Sequence, residues 1–224
     1  MATKASIAAF DLDGTLLNGQ SGSLIVRYLI VRRLLPLRTT LRCLWWGVRY
    51  KLHLPLRQNE VREVIYRSLN DLPPEGVHRI MASFHRDVMV PRYRPAGLAE
   101  LRRREEAGEH VALISATFDL VADEAAAYLG CDVALATVME RDGHGRYTGA
   151  VQGSVVCGAE KVERVRDWAD RTFGEDGWTL ARAYGDHYTD VPLLEAAVVP
   201  NAVNPGPTLK RKAKRQGWNI LNWK

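Results

Sequence analysis

The sequence predicts an α/β fold, a doubly wound parallel sheet with an inserted helical unit. Two patterns carry that expectation. Short apolar runs ending in glycine or acidic residues recur along the chain and alternate with stretches of helical period, and one long arginine-rich helical stretch interrupts the alternation after the first run. Length agrees, because 224 residues accommodate an α/β core of roughly 150 residues plus a smaller insertion.

The elements follow in order. Ile7 to Phe10, bounded by Asp11 and Gly14, reads as a buried parallel strand ending in a tight turn. From Leu24 to Phe84 apolar residues recur at helical spacing among arginines, punctuated by Pro36, Pro55 and Pro73-Pro74, which makes this stretch the helical insertion. Val111 to Ile114 returns to strand character, with Ser115 at its end and a helix from Ala122 to Leu129 stopping at Gly130. Val133 to Val138 is a further strand, and Asp142-Gly143 followed by Arg146 to Val151 marks a hairpin-like excursion. Lys161 to Arg171 is helical in period. Ala181 to Tyr184 forms a strand ending in Gly185-Asp186, Leu193 to Ala197 a short helix, Val198 to Val203 a strand, Leu209 to Gln216 a basic helix and Trp218 to Leu221 a closing strand. In such a sheet the chemistry gathers at the carboxyl ends of the strands.

Composition removes several function classes. Apolar and charged fractions are those of an ordinary globular chain, so neither disorder nor a fibrous architecture is expected. The net charge of +5 is concentrated in residues 27–67, 92–104 and 210–215, blocks suited to a phosphorylated substrate or an anionic surface, or simply to solvated helix faces. No zinc-finger spacing, recognition-helix signature or aromatic-basic RNA motif accompanies them, so no nucleic-acid partner is expected. Cys43, Cys131 and Cys157 are odd in number and form no C-x-x-C pair, which fits a reducing cytoplasm better than a disulfide framework. The amino-terminal residues carry no signal-peptide core, and arginines interrupt every candidate spanning segment.

The strongest chemical signal is Asp11-Leu12-Asp13-Gly14-Thr15 directly after the first strand, a pattern expected by chance on the order of once in 10^5 positions. Two carboxylates this close repel, and a hard divalent cation neutralises them; Mg²⁺ suits oxygen ligands. A carboxylate beside such a cation can attack phosphorus while its neighbour moves a proton. Downstream come Leu113-Ile114-Ser115-Ala116-Thr117 at a strand end, Gly158-Ala159-Glu160-Lys161-Val162 at a helix start, and Gly185-Asp186-His187-Tyr188-Thr189-Asp190 after another strand.

These four segments, in this order, resemble the four motifs of the haloacid dehalogenase superfamily, in the form found in its phosphoserine-phosphatase-like branch. The resemblance covers Asp11 to Asp190 and extends into the tail. It implies a Rossmann-like core made of residues 1–16 and 92–224 with a helical cap at 17–91, and a Mg²⁺-dependent phosphomonoesterase. By that resemblance Asp11 is nucleophile and metal ligand, and Asp13 offers its backbone carbonyl to the metal and its side chain as general acid/base. Thr15 positions the loop. Leu12, Ser115 and the Ala116 N–H hold phosphoryl oxygens, and Lys161 neutralises the transferred group. Asp186 is a metal ligand, and Asp190 acts from behind it on bound water or Lys161. His187 is expected to be a loop residue, because an oxygen-rich site favours Mg²⁺.

The same resemblance places leaving-group recognition in the cap. Phosphoserine phosphatases carry a glutamate nine residues after the nucleophile, where this chain has Gln20, which disfavours phosphoserine. Leu24 to Leu56 mixes Leu, Ile, Val and Trp45-Trp46 with Arg27, Arg32, Arg33, Arg38, Arg42 and Arg49, a composition suited either to an amphipathic helical bundle or to a helix lying at a membrane interface. The expected partner is therefore a phosphorylated small molecule or a lipid phosphate, and the expected location cytoplasmic, with peripheral contact at the inner membrane face through the cap in the lipid case. Two rivals stand beside hydrolysis: a phosphotransferase of the same fold, and a catalytically silent membrane-associated or scaffolding protein. The oligomeric state is left open.

Overall fold

A computed structural model describes residues 4–42, 45 and 72–224. Six strands, β1 (Ala5–Asp11), β2 (His110–Phe118), β3 (Val133–Thr137), β6 (Trp178–Gly185), β7 (Val199–Val203) and β8 (Asn219–Leu221), form one sheet in the order β3-β2-β1-β6-β7-β8. All five neighbouring pairs run parallel. Two further strands, β4 (Met139–Arg141) and β5 (Tyr147–Val151), make a small antiparallel hairpin, as the Asp142-Gly143 turn predicts.

Alternation within the strands explains how one sheet supports two cores. On β1, Ala8 and Phe10 pack into one apolar cluster with Val111 and Leu113 of β2; Ile7 and Ala9 pack into the other with Ala112 and Ile114. Both faces are buried, so the runs read as continuously apolar. The second face is covered by α5 (Ala159–Phe173), α6 (Val191–Ala196) and α7 (Pro207–Gln216), through Val165, Ala169, Leu193, Leu194, Leu209 and Ala213. The first face carries α3 (Pro95–Glu106) and α4 (Asp119–Leu129), and Leu101, Leu120, Val121 and Ala125 join its cluster. α4 ends at Gly130, whose φ of 77° is the left-handed cap expected there.

The strand order determines where a ligand can sit. From central β1 the chain builds outward through β2 and β3, then crosses to β6 on the other side of β1 and continues to β7 and β8. The reversal opens a crevice beyond the carboxyl ends of β1 and β6. Pairing of Phe10 with Tyr184 brings Asp11 and the Gly185-Asp186 turn to this crevice together.

Between β1 and β2 the described insertion residues include α1 (Ser21–Val31), helical residues 37–42, α2 (Pro74–Phe84), a π-helical turn His85–Met89 and a 3-10 turn Val90–Arg92. The chain leaves and re-enters the core along adjacent segments, with Leu17 bridged to Tyr93, the Asn18 N–H donating to the Arg92 carbonyl and the Arg94 N–H to the Leu16 carbonyl, both at 2.8 Å. The expectations for Cys43, Trp46, Arg49, Pro55 and Leu56 lie outside the described residues. Among the described residues no helix is long and apolar enough to cross a membrane.

The end of one strand differs from the sequence expectation. β2 does not end before Ser115 but continues to Phe118, because Thr117 and Phe118 are themselves good strand formers. The ladder to β3 slips there: Ser115 pairs with Ala136 and Phe118 with Thr137, and Ala116 and Thr117 are skipped in the register. Such an irregularity re-aims side chains at the edge of a sheet.

Candidate active site

Three carboxylates and one ammonium gather at the carboxyl ends of β1 and β6. Lys161 projects from the first turn of α5 on the same stripe as Val165 and Ala169, and is only 3% exposed. Its Nζ donates to Asp11 Oδ1 and to Asp190 Oδ1, each at 2.6 Å. Asp190 Oδ2 in turn accepts from the His187 N–H at 3.0 Å, so both oxygens of this buried carboxylate are held. Thr15, fully buried, donates to Asp11 Oδ2 at 3.1 Å. Asp11, Asp186 and Asp190 each present an oxygen within 4.8 Å of the others.

Charge explains what such a cluster lacks. Burial pushes the Asp11 carboxyl well above its ordinary range; Lys161 pulls it back, while Asp190 and Asp186 push it the same way as burial. Asp186 is likewise pushed up to about 7, first by burial and then by Asp190. Burial disfavours the Lys161 charge, but Asp11 and Asp190 outweigh that and hold its ammonium above the usual lysine value. Three carboxylates share one ammonium, and the deficit is met either by protons or by a cation. Oxygen donors at this spacing fit a hard divalent ion.

The turn after β1 fits against Asp186 because it contains glycine. Gly14 has φ of +81°, and a Cβ built there would lie 2.1 Å from Asp186 Oδ2. Gly185 is similarly confined, since a Cβ would meet the Asp190 Cβ at 2.6 Å. Gly14→Ala is therefore expected to cost about 2 kcal/mol in denaturant unfolding and to push the Asp186 carboxylate out of the cluster, weakening divalent-cation binding in calorimetry. Unchanged unfolding and unchanged cation affinity would contradict this packing.

The other sequence-predicted residues lie on β2, in the turns after β1 and β6, and at the start of the insertion. Leu12 is fully buried and its carbonyl accepts from the Leu17 N–H at 2.8 Å. Ser115 is buried one residue beyond Ile114, the β2 partner of Asp11, and its Oγ accepts from the Thr117 N–H at 3.1 Å. The Ala116 carbonyl accepts from Thr137 Oγ1. Gln20 is exposed at the amino end of α1, and its side chain does not cap that helix. His187 is an exposed loop residue whose Nδ1 lies 3.0 Å from Thr189 Oγ1. Cys131 and Cys157 are free thiols.

Sequence reasoning missed Ser21. Its backbone N–H donates to Asp13 Oδ1 at 2.7 Å and its hydroxyl to Asp13 Oδ2 at 2.8 Å; the same hydroxyl oxygen lies 2.8 Å from Thr117 Oγ1. A usable signal existed. Ser21 heads the buried stripe Ser21, Ile25, Leu29 just as Lys161 heads Lys161, Val165, Ala169, and a polar side chain on a core-facing helical stripe needs a partner.

Comparison with known proteins identifies the family. The profile of the haloacid dehalogenase-like hydrolase family matches residues 8–195. The chain belongs to that family. A histidinol-phosphatase of Neisseria meningitidis serogroup C is 28% identical to this family member over 98% of this chain and 99% of that protein. A phosphoserine phosphatase of Mycobacterium tuberculosis is 30% identical over 97% of this chain and 70% of that protein. A crystal structure of a protein of unknown function from Bordetella pertussis Tohama I superposes with a TM-score of 0.82 at 30% identity, covering 98% of this chain and 99% of that one. This haloacid dehalogenase-like hydrolase is thus a phosphoric monoester hydrolase by class.

Proposed function

We propose that the protein hydrolyses a small phosphomonoester in two phosphoryl transfers through an aspartyl-phosphate on Asp11, with Mg²⁺ as its cofactor. The observation that carries this reading is the Lys161 ammonium bridging Asp11 and Asp190 beside Asp186 at the carboxyl ends of β1 and β6. Asp11 Oδ1 and Oδ2 are oriented by Lys161 and Thr15, so the carboxylate is held for attack on phosphorus. Asp13 gives a proton to the departing alkoxide and takes one from the water that cleaves the acyl phosphate. Lys161, the Ser115 hydroxyl and the N–H groups of Leu12 and Ala116 balance the charge of the transferred group.

Asp11, the Asp13 carbonyl and Asp186 would hold Mg²⁺, and Asp190, committed to Lys161 and the His187 N–H, would orient from behind. When bound, the ion supplies charge neutralisation at phosphorus and among the carboxylates. A pH signature follows from Asp186. A carboxyl raised from 3.8 to about 7 in the fold stabilises the metal-free protein fully below about pH 4, and that contribution is lost as the pH rises through about 7. Cation binding replaces the proton. The gain in melting temperature on adding Mg²⁺ is therefore expected to be larger at about pH 8 than at about pH 5.5, and equal gains would contradict the assignment.

Residues 17–91 act as the cap that closes over the leaving group, hinged where Leu17 meets Tyr93. The exposed Gln20 in place of an acid argues against phosphoserine, and the end-to-end match to a histidinol-phosphatase makes histidinol phosphate the first substrate to try. A screen of histidinol phosphate, phosphoserine, sugar phosphates, nucleotides and a lipid phosphate tests the reading; Val31, Leu37, Leu41 and Trp45, all exposed, keep the lipid arm in it. Mg²⁺-dependent release of free phosphate from a soluble phosphomonoester supports hydrolysis. Phosphate appearing only on an added acceptor favours a transferase, and no turnover of any substrate a silent scaffold.

A further inference from the structure

We propose that Ser21 is a positioning residue that fixes Asp13 for proton transfer, and that it does so as the first residue of the inserted helix α1. The inference rests on the reading of Asp13 as general acid/base. Both Asp13 oxygens are engaged by this one residue, Oδ1 by its backbone N–H at 2.7 Å and Oδ2 by its hydroxyl at 2.8 Å. Two bonds from one residue restrict rotation of the carboxylate about its own axis in a way that either bond alone would not.

The hydroxyl bookkeeping gives the arrangement a direction. Ser21 has one hydroxyl proton, and it goes to Asp13 Oδ2. Its contact with Thr117 Oγ1 at 2.8 Å is then one in which Thr117 donates and Ser21 accepts. The chain of bonds runs from Thr117 on β2 through Ser21 to Asp13 after β1, joining the second and first motifs by way of the insertion. Ser21 is fully buried and Thr117 is 6% exposed, so water does not substitute freely for either hydroxyl. The helix depends on the same contact. Gln20, the residue before α1, makes no capping bond with its side chain, and Asp13 instead accepts the first free N–H of the helix. Placement of α1 and orientation of Asp13 are therefore a single constraint, and a shift of the insertion against the core moves the acid.

Leaving-group dependence of kcat/KM separates this role from a structural one, because kcat/KM reports events up to departure of the leaving group. An alkoxide needs a proton from Asp13; p-nitrophenolate does not. Ser21→Ala is expected to lower kcat/KM for an alkyl phosphate about 10- to 100-fold and for p-nitrophenyl phosphate less than about 3-fold. Ser21→Thr, which keeps both donors, is expected to restore most of the loss. Equal losses on the two substrates, an unaffected Ser21→Ala, or a Ser21→Thr as impaired as alanine would overturn the proposal while leaving the phosphatase reading intact. A wild-type protein that turns over neither substrate would overturn both.

Discussion

Asp11→Asn is expected to lower phosphatase turnover by at least about 10^4-fold while leaving the melting temperature unchanged or higher. An amide cannot attack phosphorus as a carboxylate does, yet it keeps the shape of the side chain and one oxygen to accept from Lys161, which now donates to Asp11 Oδ1 at 2.6 Å; the amide NH2 takes the place of Oδ2, 3.1 Å from Thr15 Oγ1, whose hydroxyl can turn to accept from it. The stability direction comes from charge. Asp11 is held far above its ordinary pKa by burial and by Asp190 and Asp186, against the pull of Lys161, so the folded site gains by losing one negative charge. Turnover assayed with p-nitrophenyl phosphate and unfolding followed by circular dichroism check the two halves separately. A strongly destabilised variant would mean that Asp11 is a structural anchor.

Lys161→Met should move stability the other way. The ammonium bridges two carboxylates that are almost wholly buried, and removing it leaves Asp11 and Asp190 facing one another without compensation. Breaking such an arrangement from one side costs about 3 kcal/mol, or roughly 6–12 °C in melting temperature for a chain of this size. Protons can replace the ammonium, so the loss should be greater at about pH 8 than at about pH 5. Turnover should fall by about 10^3-fold or more, since both the phosphoryl charge and the Asp11 geometry depend on the same nitrogen. A variant as stable as the parent at alkaline pH would show that the carboxylates find another partner.

What could be read from the sequence was set by how locally each feature is encoded. Asp11 and Asp186 follow apolar runs and sit beside Gly14 and Gly185, so strand, turn and acid are all contained in a few residues. The alternation of strands and helices predicted the parallel doubly wound sheet for the same reason. The extent of β2 was less legible, because Ser115 is compatible with either a strand end or a helix start until the slip against β3 is seen. Lys161 was found by its order among the motifs, although its place on the stripe with Val165 and Ala169 is the more physical signal. Ser21 and Thr117 are 96 positions apart, and no periodicity links them; only folding brings their hydroxyls into contact, with that of Ser21 on Asp13.

Hydrolysis through an aspartyl-phosphate requires that phosphorus be bonded to Asp11 during turnover. Acid quenching of the enzyme in the first turnovers with a phosphomonoester, followed by peptide mass spectrometry, tests it most directly. A phosphoryl adduct is expected on the peptide containing Asp11, released by hydroxylamine as an acyl phosphate is, and missing from Asp11→Asn. An adduct on Ser115 or elsewhere, or full turnover by Asp11→Asn, would contradict it.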